Sequence, residues 1–193
     1  MTANQVEQRS LTKMAESTAT ERILAGNAKW HPTYKTPATM EQMRLFGSSG
    51  DKPMMVVTCM DPRCDPSQFT GGDEIFATIK NAGGRATPDA IRSILTLRAL
   101  NTVSDKGTVA VIHHTDCGMT HVTEDEIKGS VKKRTPTEAA RAEGIDYGTF
   151  GKDEFEEIIR KDVQTFKDEK LLGGMDVLGF AFITETGELK PVC

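Results

Sequence analysis

The sequence predicts an α/β fold in which a central, mostly parallel β-sheet of four or five strands is flanked by helices and preceded by an N-terminal helical arm. Short apolar runs begin at Met54 and Gly107, and each ends in polar, turn-forming residues, as buried strands of parallel sheets do. Helical patterns alternate with these runs, which favours crossover helices between parallel strands. Residues 1–50 are polar and alanine-rich, so we expect one or two helices there that pack onto another surface. Residues 51–193 form the predicted domain.

The first half of this domain contains three predicted strands and one helix. The run MMVVTCM, from Met54, is the first strand, and EIFATIK, from Glu74, is the second. The helix begins after Thr87, which can cap it, and Pro88 suits its first position. The run GTVAVIHHT, from Gly107, is the third strand. Helix and strand therefore alternate as in a parallel sheet.

The second half begins with a weak structural signal and ends with a strong one. Residues 123–151 are charged and irregular, and we expect a surface excursion with one short helix near TEAARAE. From Lys152, the sequence KDEFEEIIRKDVQTFKDEK predicts an amphipathic helix. Its apolar face consists of Phe155, Ile158, Ile159, Val163 and Phe166. The segments DVLGFAFIT and ELKPV, separated by the turn ETG, predict a closing pair of strands.

Composition argues against several classes of function. The 193 residues contain 24 Lys plus Arg and 28 Asp plus Glu, a net charge of −4, so no nucleic-acid partner is expected. No apolar run approaches the roughly 20 residues that span a bilayer, and the first residues lack the features of a signal or transit peptide. We therefore expect a cytoplasmic protein with a small-molecule partner. Four cysteines in a chain of this length favour metal binding or catalysis over a disulfide scaffold.

Two clusters of reactive residues follow the first and third predicted strands. Cys59, Asp61 and Arg63 follow the first strand, and His114 and Cys117 follow the third. Because open parallel sheets bind ligands at the carboxyl ends of their strands, we expect the two clusters to converge. Two thiolates and an imidazole are ligands that zinc prefers, and three protein ligands leave a fourth position open for catalysis. The sequence therefore predicts one zinc ion per chain in a catalytic domain.

The two adjacent histidines of the third strand have different predicted positions. Side chains alternate along a strand, so His113 and His114 point to opposite faces and only one of them can reach the site. His114 has the H-x-x-C spacing to Cys117 and lies at the end of the strand, so it is the expected ligand. His113 is expected in the core or behind the site, where it would orient a ligand. His121 is expected on the surface.

The pattern C-x-D-x-R, followed some fifty residues later by H-x-x-C-G, resembles the β-class carbonic anhydrases. The likeness continues through NAGGR and the closing DVLGFAFITETGELKPV, so it extends from Met54 to Val192. The resemblance implies that Cys59, His114 and Cys117 are the zinc ligands. It also implies that the aspartate and the arginine of the first pattern form a pair beside the metal.

The resemblance further implies an activity and an assembly. The expected reaction is the reversible hydration of carbon dioxide to bicarbonate by zinc-bound hydroxide. Asp61 would accept a hydrogen bond from the zinc-bound water or hydroxide, and Arg63 would hold that carboxylate ionised. The N–H groups around Gly83 and Gly84 can approach the reacting oxygen, although a plain tight turn explains these glycines equally well. A homodimer or homotetramer is expected, with the N-terminal arm packed on a neighbouring subunit.

One stretch departs from the family pattern. Many members carry a substrate-contacting glutamine in a phenylalanine-glutamine-proline-glycine stretch, and the matching residues here are Phe69-Thr70-Gly71-Gly72-Asp73. Thr70 is shorter than glutamine and has no amide donor, so this substrate-binding position is expected to hold bicarbonate more weakly. Hydrolysis of carbonyl sulfide or carbon disulfide at the same metal site is therefore an alternative, since a subset of related enzymes acts on these linear electrophiles.

Other interpretations of single residues remain open. Cys64 can complete a closed Cys₃His zinc site, which would make the protein a zinc-stabilised binding module without turnover. That interpretation leaves the C-x-D-x-R pattern unexplained, and we expect Cys64 to be a small buried residue and Cys193 a free thiol. Asp116 is interpreted as a turn residue or as a residue that orients a ligand. Arg85 is interpreted as the partner of a carboxylate near the site or as a surface residue.

Overall fold

The computed structural model describes residues 18–48, 54–70, 75–100 and 106–193. Its described strands form one mixed β-sheet. Five strands lie in the order β2-β1-β3-β4-β5. They are β1 (Met54–Cys59), β2 (Ile75–Asn81), β3 (Thr108–His114), β4 (Asp176–Ile183) and β5 (Glu188–Pro191). Strands β1 to β4 pair in parallel, and β5 is antiparallel to β4. The predicted α/β fold and the predicted closing strand pair are confirmed.

The part of the chain that the structure describes also contains seven α-helices. They are α1 (Ala19–Trp30), α2 (Met40–Ser48), α3 (Pro66–Phe69), α4 (Pro88–Ala99), α5 (Glu124–Arg134), α6 (Ala139–Glu143) and α7 (Phe155–Asp168). Thr87 caps α4 as predicted, because its side chain accepts a hydrogen bond from the N–H of Ala90, and Pro88 occupies the first turn. A short 3₁₀ turn, Ala82–Gly84, follows β2.

Buried apolar side chains hold the sheet from both sides. The cluster on one side includes Met55, Val57, Val109 and Val111 of the strands with Ile94 of α4 and Val163 and Phe166 of α7. The cluster on the other side includes Val56, Ala110, Ile112 and Phe182 of the strands with Cys59, Cys64 and Cys117. Burying one valine or isoleucine side chain contributes about 1.5–3 kcal/mol. The carboxyl ends of β1 and β3 are therefore fixed by packing on both faces.

The segment of residues 123–151 is more regular than the sequence pattern indicates. The structure corrects the expectation of an irregular excursion with one short helix, because α5 precedes the short helix α6. Thr123 and Glu126 form a capping box in which each side chain accepts a hydrogen bond from the other residue's N–H. Acidic residues in the first turn and basic residues in the last turn also suit the helix dipole. Helix α5 has no buried residue, so it lacks the apolar periodicity from which helices are predicted.

The chain divides into two compact units, residues 1–39 and 40–193. Helix α2 belongs to the second unit, where the Arg44 side chain donates a hydrogen bond to the carbonyl of Leu100 over 3.1 Å. The sequence boundary at residue 50, between a helical arm and a catalytic domain, stays a prediction.

Helix α1 of the first unit presents apolar side chains to solvent. It has no buried residue, and Ile23, Leu24 and Trp30 are exposed by more than half of their surface. Among the described residues, no helix has both the length and the apolar character needed to cross a membrane.

Candidate metal centre

Three side chains that carry metal-binding atoms come together at the carboxyl ends of β1 and β3. Cys59 and His114 are the last residues of these strands, and Cys117 follows His114 in the next turn. Their Sγ and ring nitrogen atoms lie within 4.8 Å of one another, and all three residues are buried. The two Sγ atoms are 3.8 Å apart. Two sulfur ligands at 2.3 Å from a tetrahedral ion are separated by about 3.8 Å, so the spacing fits zinc.

The ring of His114 is prepared to bind a metal through Nε2. Its Nδ1 lies 2.9 Å from the carbonyl oxygen of Thr115, and a carbonyl can only accept, so Nδ1 carries the proton. Nε2 is then the unprotonated nitrogen. It is buried and has no hydrogen-bond partner in the structure. A buried, unpartnered acceptor is costly, and coordination of a cation removes that cost, so the residues present fit zinc.

The two thiol groups lie within hydrogen-bond distance of each other, and one of them also accepts from the backbone. Either Sγ atom can be the donor in the contact between the two thiols, and the N–H of Asp61 donates to Cys59 Sγ over 3.4 Å. The contact between the two thiols lowers the pKa of the Cys59 thiol and raises the pKa of the Cys117 thiol. A thiol must lose its proton to bind a metal, and the lowered pKa of Cys59 favours that loss.

Asp61 and Arg63 form a bidentate ion pair beside these ligands. The Arg63 Nη2 and Nε atoms lie 2.8 Å and 3.0 Å from the two carboxylate oxygens, and the Arg63 backbone N–H donates to Oδ1 over 2.8 Å. The guanidinium group holds the pKa of Asp61 at about 2. Asp61 Oδ2 lies 3.9 Å from His114 Nε2. An ionised acceptor therefore stands next to the atom that would bind the metal.

A second carboxylate supports Arg63 from the other side. Asp116 Oδ2 accepts a hydrogen bond from Arg63 Nη1 over 2.9 Å, and the Asp116 carbonyl accepts one from Nη2 over 3.0 Å. Its other oxygen, Oδ1, lies 2.9 Å from Nε2 of His121, which is half exposed. Asp116 has a φ of 53°, a left-handed conformation that aspartate tolerates in turns. Asp116 is thus a turn residue, and its side chain braces Arg63.

Cys64 lies outside the cluster of ligand atoms, which consists of Cys59, His114 and Cys117 in the described part of the chain. Its sulfur is fully buried and 3.0 Å from Thr58 Oγ1. Thr58 donates its own proton to the carbonyl of Ile112, so its oxygen accepts from the Cys64 thiol. Burial also raises the pKa of Cys64. The expectation of a small buried residue is confirmed, and this geometry gives no support to a closed Cys₃His site.

The predicted glycine turn lies directly against the end of β1. A Cβ atom on Gly84 would lie 2.8 Å from the backbone nitrogen of Cys59 and from the carbonyl carbon of Thr58. Gly83 and Gly84 have φ values of 78° and 72°, which glycine adopts without strain. Only glycine therefore allows the turn to approach the backbone of Cys59 this closely. A contact of either glycine with substrate stays a prediction.

Thr70 ends α3, and its hydroxyl group is used within the helix. Thr70 Oγ1 donates to the carbonyl of Pro66 over 2.7 Å, so its proton is not available to a substrate. The preceding residue, Phe69, stacks on Phe182 of β4 with the ring centroids 4.3 Å apart. The role of Thr70 in substrate binding stays a prediction.

Comparison with known proteins identifies the family. No protein-family model matches the chain. The protein named β-carbonic anhydrase 1 of Mycobacterium tuberculosis is 31% identical over 180 residues, which cover 91% of this chain and 98% of the relative. The chain belongs to the β-carbonic anhydrase family. The predicted family and the prediction of an enzyme are confirmed.

Other similar proteins fall into two groups by name. The solved carbonic anhydrase of Streptococcus mutans is 25% identical, covers 92% of this chain and 99% of its own, and superimposes with a TM-score of 0.72. A carbon disulfide hydrolase of Acidithiobacillus thiooxidans is 29% identical over 175 residues, 77% of this chain and 81% of the relative. The named relatives in the β-carbonic anhydrase family therefore include both lyases and hydrolases of small molecules.

A buried charge cluster in the core is the main feature that the sequence pattern did not predict. Asp162 of α7 is buried and pairs with Arg85 over 2.7 Å. Its second neighbour is Nε2 of His113, at 3.2 Å. Burial raises the pKa of Asp162, but hydrogen bonds from His113 and Arg85 outweigh this effect and lower it. Arg85 thus pairs with a buried carboxylate, one of its two predicted roles, and His113 lies in the core as expected.

The sequence contains a signal for this cluster. Asp162 lies on the apolar stripe of α7, four residues after Ile158 and four before Phe166, both of which are buried. A carboxylate at such a position is rarely buried unless it is paired. The position of Asp162 among the apolar residues of α7 therefore indicates a buried, paired carboxylate.

A cavity of about 300 Å³ lies next to the metal centre. Its lining is formed by His114, Thr115, Asp116, Thr120, Lys152, Phe155 and Glu185. The carboxylate of Glu185 accepts a hydrogen bond from the Thr115 hydroxyl over 2.8 Å. Of the candidate site residues, the lining includes only His114, so the cavity adjoins the centre and does not contain it.

Proposed function

We propose that this chain catalyses the reversible hydration of carbon dioxide to bicarbonate, with one zinc ion per chain held by Cys59, His114 and Cys117. The observation that carries the proposal is the arrangement of two thiols at the spacing of zinc ligands around a buried, unpartnered histidine nitrogen. The relative from Mycobacterium tuberculosis, named a carbonic anhydrase, supports the choice of reaction because it matches the chain over nearly its whole length.

The chain's own residues prepare the reaction beside the metal. Zinc, when bound, lowers the pKa of a coordinated water and so makes it a nucleophile near neutral pH. Asp61 would accept a hydrogen bond from the attacking water and direct its lone pair at the carbon of carbon dioxide. Arg63 fixes both oxygens of Asp61 and keeps the group ionised. The water and carbon dioxide give bicarbonate and one proton, and the proton leaves to buffer.

The substrate contacts of Thr70, Gly83 and Gly84 belong to the same proposal. Since Thr70 donates its proton to Pro66, we expect it to contribute little hydrogen bonding to bicarbonate. The backbone N–H groups of Gly83 and Gly84 are then the candidates among the three for contact with the reacting oxygen.

Hydrolysis of carbonyl sulfide or carbon disulfide is the second candidate reaction, because one relative is named a carbon disulfide hydrolase. Carbonyl sulfide and water would give carbon dioxide and hydrogen sulfide, and carbon disulfide with two waters would give carbon dioxide and two hydrogen sulfides. The relative from Acidithiobacillus thiooxidans supports this alternative. A weak bicarbonate contact at Thr70 would also matter less in a reaction that has bicarbonate as neither substrate nor product.

Stopped-flow measurement of carbon dioxide hydration tests the proposal directly. The protein should carry one zinc ion per chain by elemental analysis and should be assayed at pH 7 and pH 8.5. Fast turnover at either pH supports the carbonic anhydrase reaction. If zinc is present but turnover is absent at both, and sulfide is released from carbonyl sulfide or carbon disulfide, the hydrolase reaction replaces it.

The variant Asp61→Asn separates catalysis from metal binding. It preserves the size of the side chain but removes its charge, so we expect turnover to fall by about 10²-fold or more with zinc retained. Asp65→Asn is the matched control in the same loop, because asparagine caps the start of α3 as well as aspartate does. Full activity in Asp61→Asn would contradict the assigned role. Absence of turnover by the zinc-loaded wild-type protein on carbon dioxide, carbonyl sulfide and carbon disulfide would favour the non-catalytic binding module.

We also propose that the N-terminal arm of residues 1–50 packs on a second copy of the chain in a homodimer or homotetramer. The exposed apolar residues Ile23, Leu24 and Trp30 of α1 support this proposal, because a helix with unburied apolar side chains gains stability when another surface covers them.

A further inference from the structure

The buried carboxylate of Asp162 has no part in the proposed reaction, yet it is bound by three groups. It accepts hydrogen bonds from the Arg85 Nε atom over 2.7 Å and from the Ala86 backbone N–H over 3.2 Å. His113 Nε2 lies 3.2 Å from it. A buried charge is expensive and is retained only when it is well paired. These partners all lie in segments that adjoin the metal ligands, which suggests a purpose beyond packing.

Each partner of Asp162 is connected to the turn that contains Gly83 and Gly84. His113 Nε2 lies 3.1 Å from the carbonyl oxygen of Gly84. Arg85 and Ala86 follow the turn directly. Asp162 therefore binds the two residues that follow the turn, Arg85 and Ala86. Through His113 it is also linked to the carbonyl of Gly84 within the turn.

The other side of the turn is held by Asn81 at the end of β2. The Asn81 Oδ1 atom accepts from the Arg85 N–H over 2.7 Å, and its Nδ2 donates to the Arg85 carbonyl over 2.8 Å. The turn presses on β1, because a Cβ atom at Gly84 would lie 2.8 Å from the Cys59 nitrogen. The turn therefore lies against the backbone of a proposed zinc ligand.

We propose that Asp162 is a positioning residue for the metal centre. Through Arg85, Ala86 and His113 it holds the glycine turn against the backbone of Cys59, one of the three proposed zinc ligands. The inference rests on the proposed zinc site and extends it to a group that contacts none of the three ligand side chains.

The position of the turn has a chemical consequence for the metal. Because the turn packs against the end of β1, it helps to fix the direction from which the Cys59 sulfur approaches a bound ion. Residues that support metal ligands in this way typically change metal affinity by about 10- to 100-fold when they are altered. Loosening the turn should therefore weaken metal binding and change the electronic spectrum of the thiolate-bound metal.

The variant Asp162→Asn tests the proposal, with Asp89→Asn as the matched control. Asp89 also pairs with an arginine, Arg92, over 2.8 Å, but both side chains are exposed on α4. Zinc affinity would be measured by competition with a chelator. The cobalt(II)-substituted proteins would be compared by their thiolate-to-metal charge-transfer absorption, which reports on the sulfur ligands and is independent of turnover.

We expect Asp162→Asn to bind zinc about 10- to 100-fold more weakly and to shift the charge-transfer band, with neither change in Asp89→Asn. A folded Asp162→Asn protein with unchanged affinity and an unchanged band overturns the proposal, even if its melting temperature falls. Should Asp162→Asn fail to fold, Arg85→Lys decides by the same two measurements, because lysine keeps the charge but cannot bond both Asp162 and the Gly148 carbonyl. If the wild-type protein binds neither zinc nor cobalt, the proposed metal centre itself is wrong.

Discussion

At the scale of single residues, the site is distinguished by the number of hydrogen bonds that one arginine donates. Arg63 donates to both oxygens of Asp61, to a carboxylate oxygen of Asp116 and to the Asp116 carbonyl. The fork of a guanidinium group suits this geometry, and an ammonium group cannot reproduce it. Asp61 therefore stays ionised and in one orientation, which is what a hydrogen-bond acceptor beside a metal needs.

The pKa of Asp61 gives a prediction with a definite sign. Because Arg63 lowers it to about 2, the ion pair stabilises the folded protein above the unfolded carboxyl's pKa of about 3.9, and this contribution disappears as pH falls through about 2. In the metal-free Arg63→Gln variant, we expect the pKa of Asp61 to rise toward about 3.9. Carboxyl ¹³C NMR titration measures it, and Arg92→Gln, which breaks an exposed pair on α4, should leave it unchanged. A value still near 2 in Arg63→Gln would rule out this cause.

At the scale of secondary-structure elements, the close approach of the glycine turn to β1 links the sheet to the metal centre. Gly84 has a φ of 72°, and no space exists for a Cβ atom between it and the backbone of Thr58 and Cys59. Strand β1 therefore ends against another backbone, and the direction of Cys59 depends on that contact.

Two glycine variants separate backbone strain from this steric contact. Gly187 has a φ of 75°, close to that of Gly84, but a Cβ atom there meets nothing within 4 Å. We expect Gly187→Ala to lower the free energy of unfolding by about 1 kcal/mol, and Gly84→Ala to lower it by about 1–3 kcal/mol more, because the added atom overpacks the strand. Denaturant titration and zinc content check this. Equal losses in the two variants, with full zinc content in both, would show that the approach to β1 is unimportant.

Helix α5 offers a second prediction at this scale, because its ends are fixed by polar groups. Thr123→Ala removes half of the capping box, so we expect a loss of about 1 kcal/mol. The control is Thr135→Ala at the other end of the helix, where the side chain makes no capping bond. Hydrogen exchange of residues 124–134 and the free energy of unfolding measure the effect. No difference between the two variants would mean that the box does not stabilise α5.

At the scale of the whole molecule, the exposed apolar face of α1 is the feature that a single chain leaves unexplained. Trp30 is the only tryptophan in the sequence, and it lies on this helix beside Tyr34, with the ring centroids 5.1 Å apart. Its fluorescence therefore reports on α1 alone. Burial against a second copy would move the emission to shorter wavelength as the protein concentration rises.

The assembly prediction is tested by paired serine variants on α1. We expect Ile23→Ser with Leu24→Ser to lower the mass measured by sedimentation velocity, because the exposed apolar surface is lost. The control, Asn27→Ser with Lys29→Ser, places the same residue type in the same helix and should keep the wild-type mass. A wild-type protein that sediments as one chain at all concentrations, with unchanged Trp30 emission, would exclude the proposed assembly.

The sequence by itself determined the fold class, the order of the strands along the chain and the family. Apolar runs and helical periodicity are local properties, and the spacing of Cys59, Asp61, Arg63, His114 and Cys117 is written directly in the chain. The apolar pattern of the sequence did not predict α5, because this helix is stabilised by a capping box and by charges at its ends, which leave no apolar periodicity.

Only the tertiary structure decided which distant groups meet. Asp162 and Arg85 are separated by 77 residues and pair in the core, and Asp116 reaches Arg63 across 53 residues. It also decided that Cys64 bonds to Thr58 and lies outside the ligand cluster. Local patterns carry the period of a helix or strand, whereas the meeting of buried charges depends on how the sheet and α7 pack, which no short segment of sequence encodes.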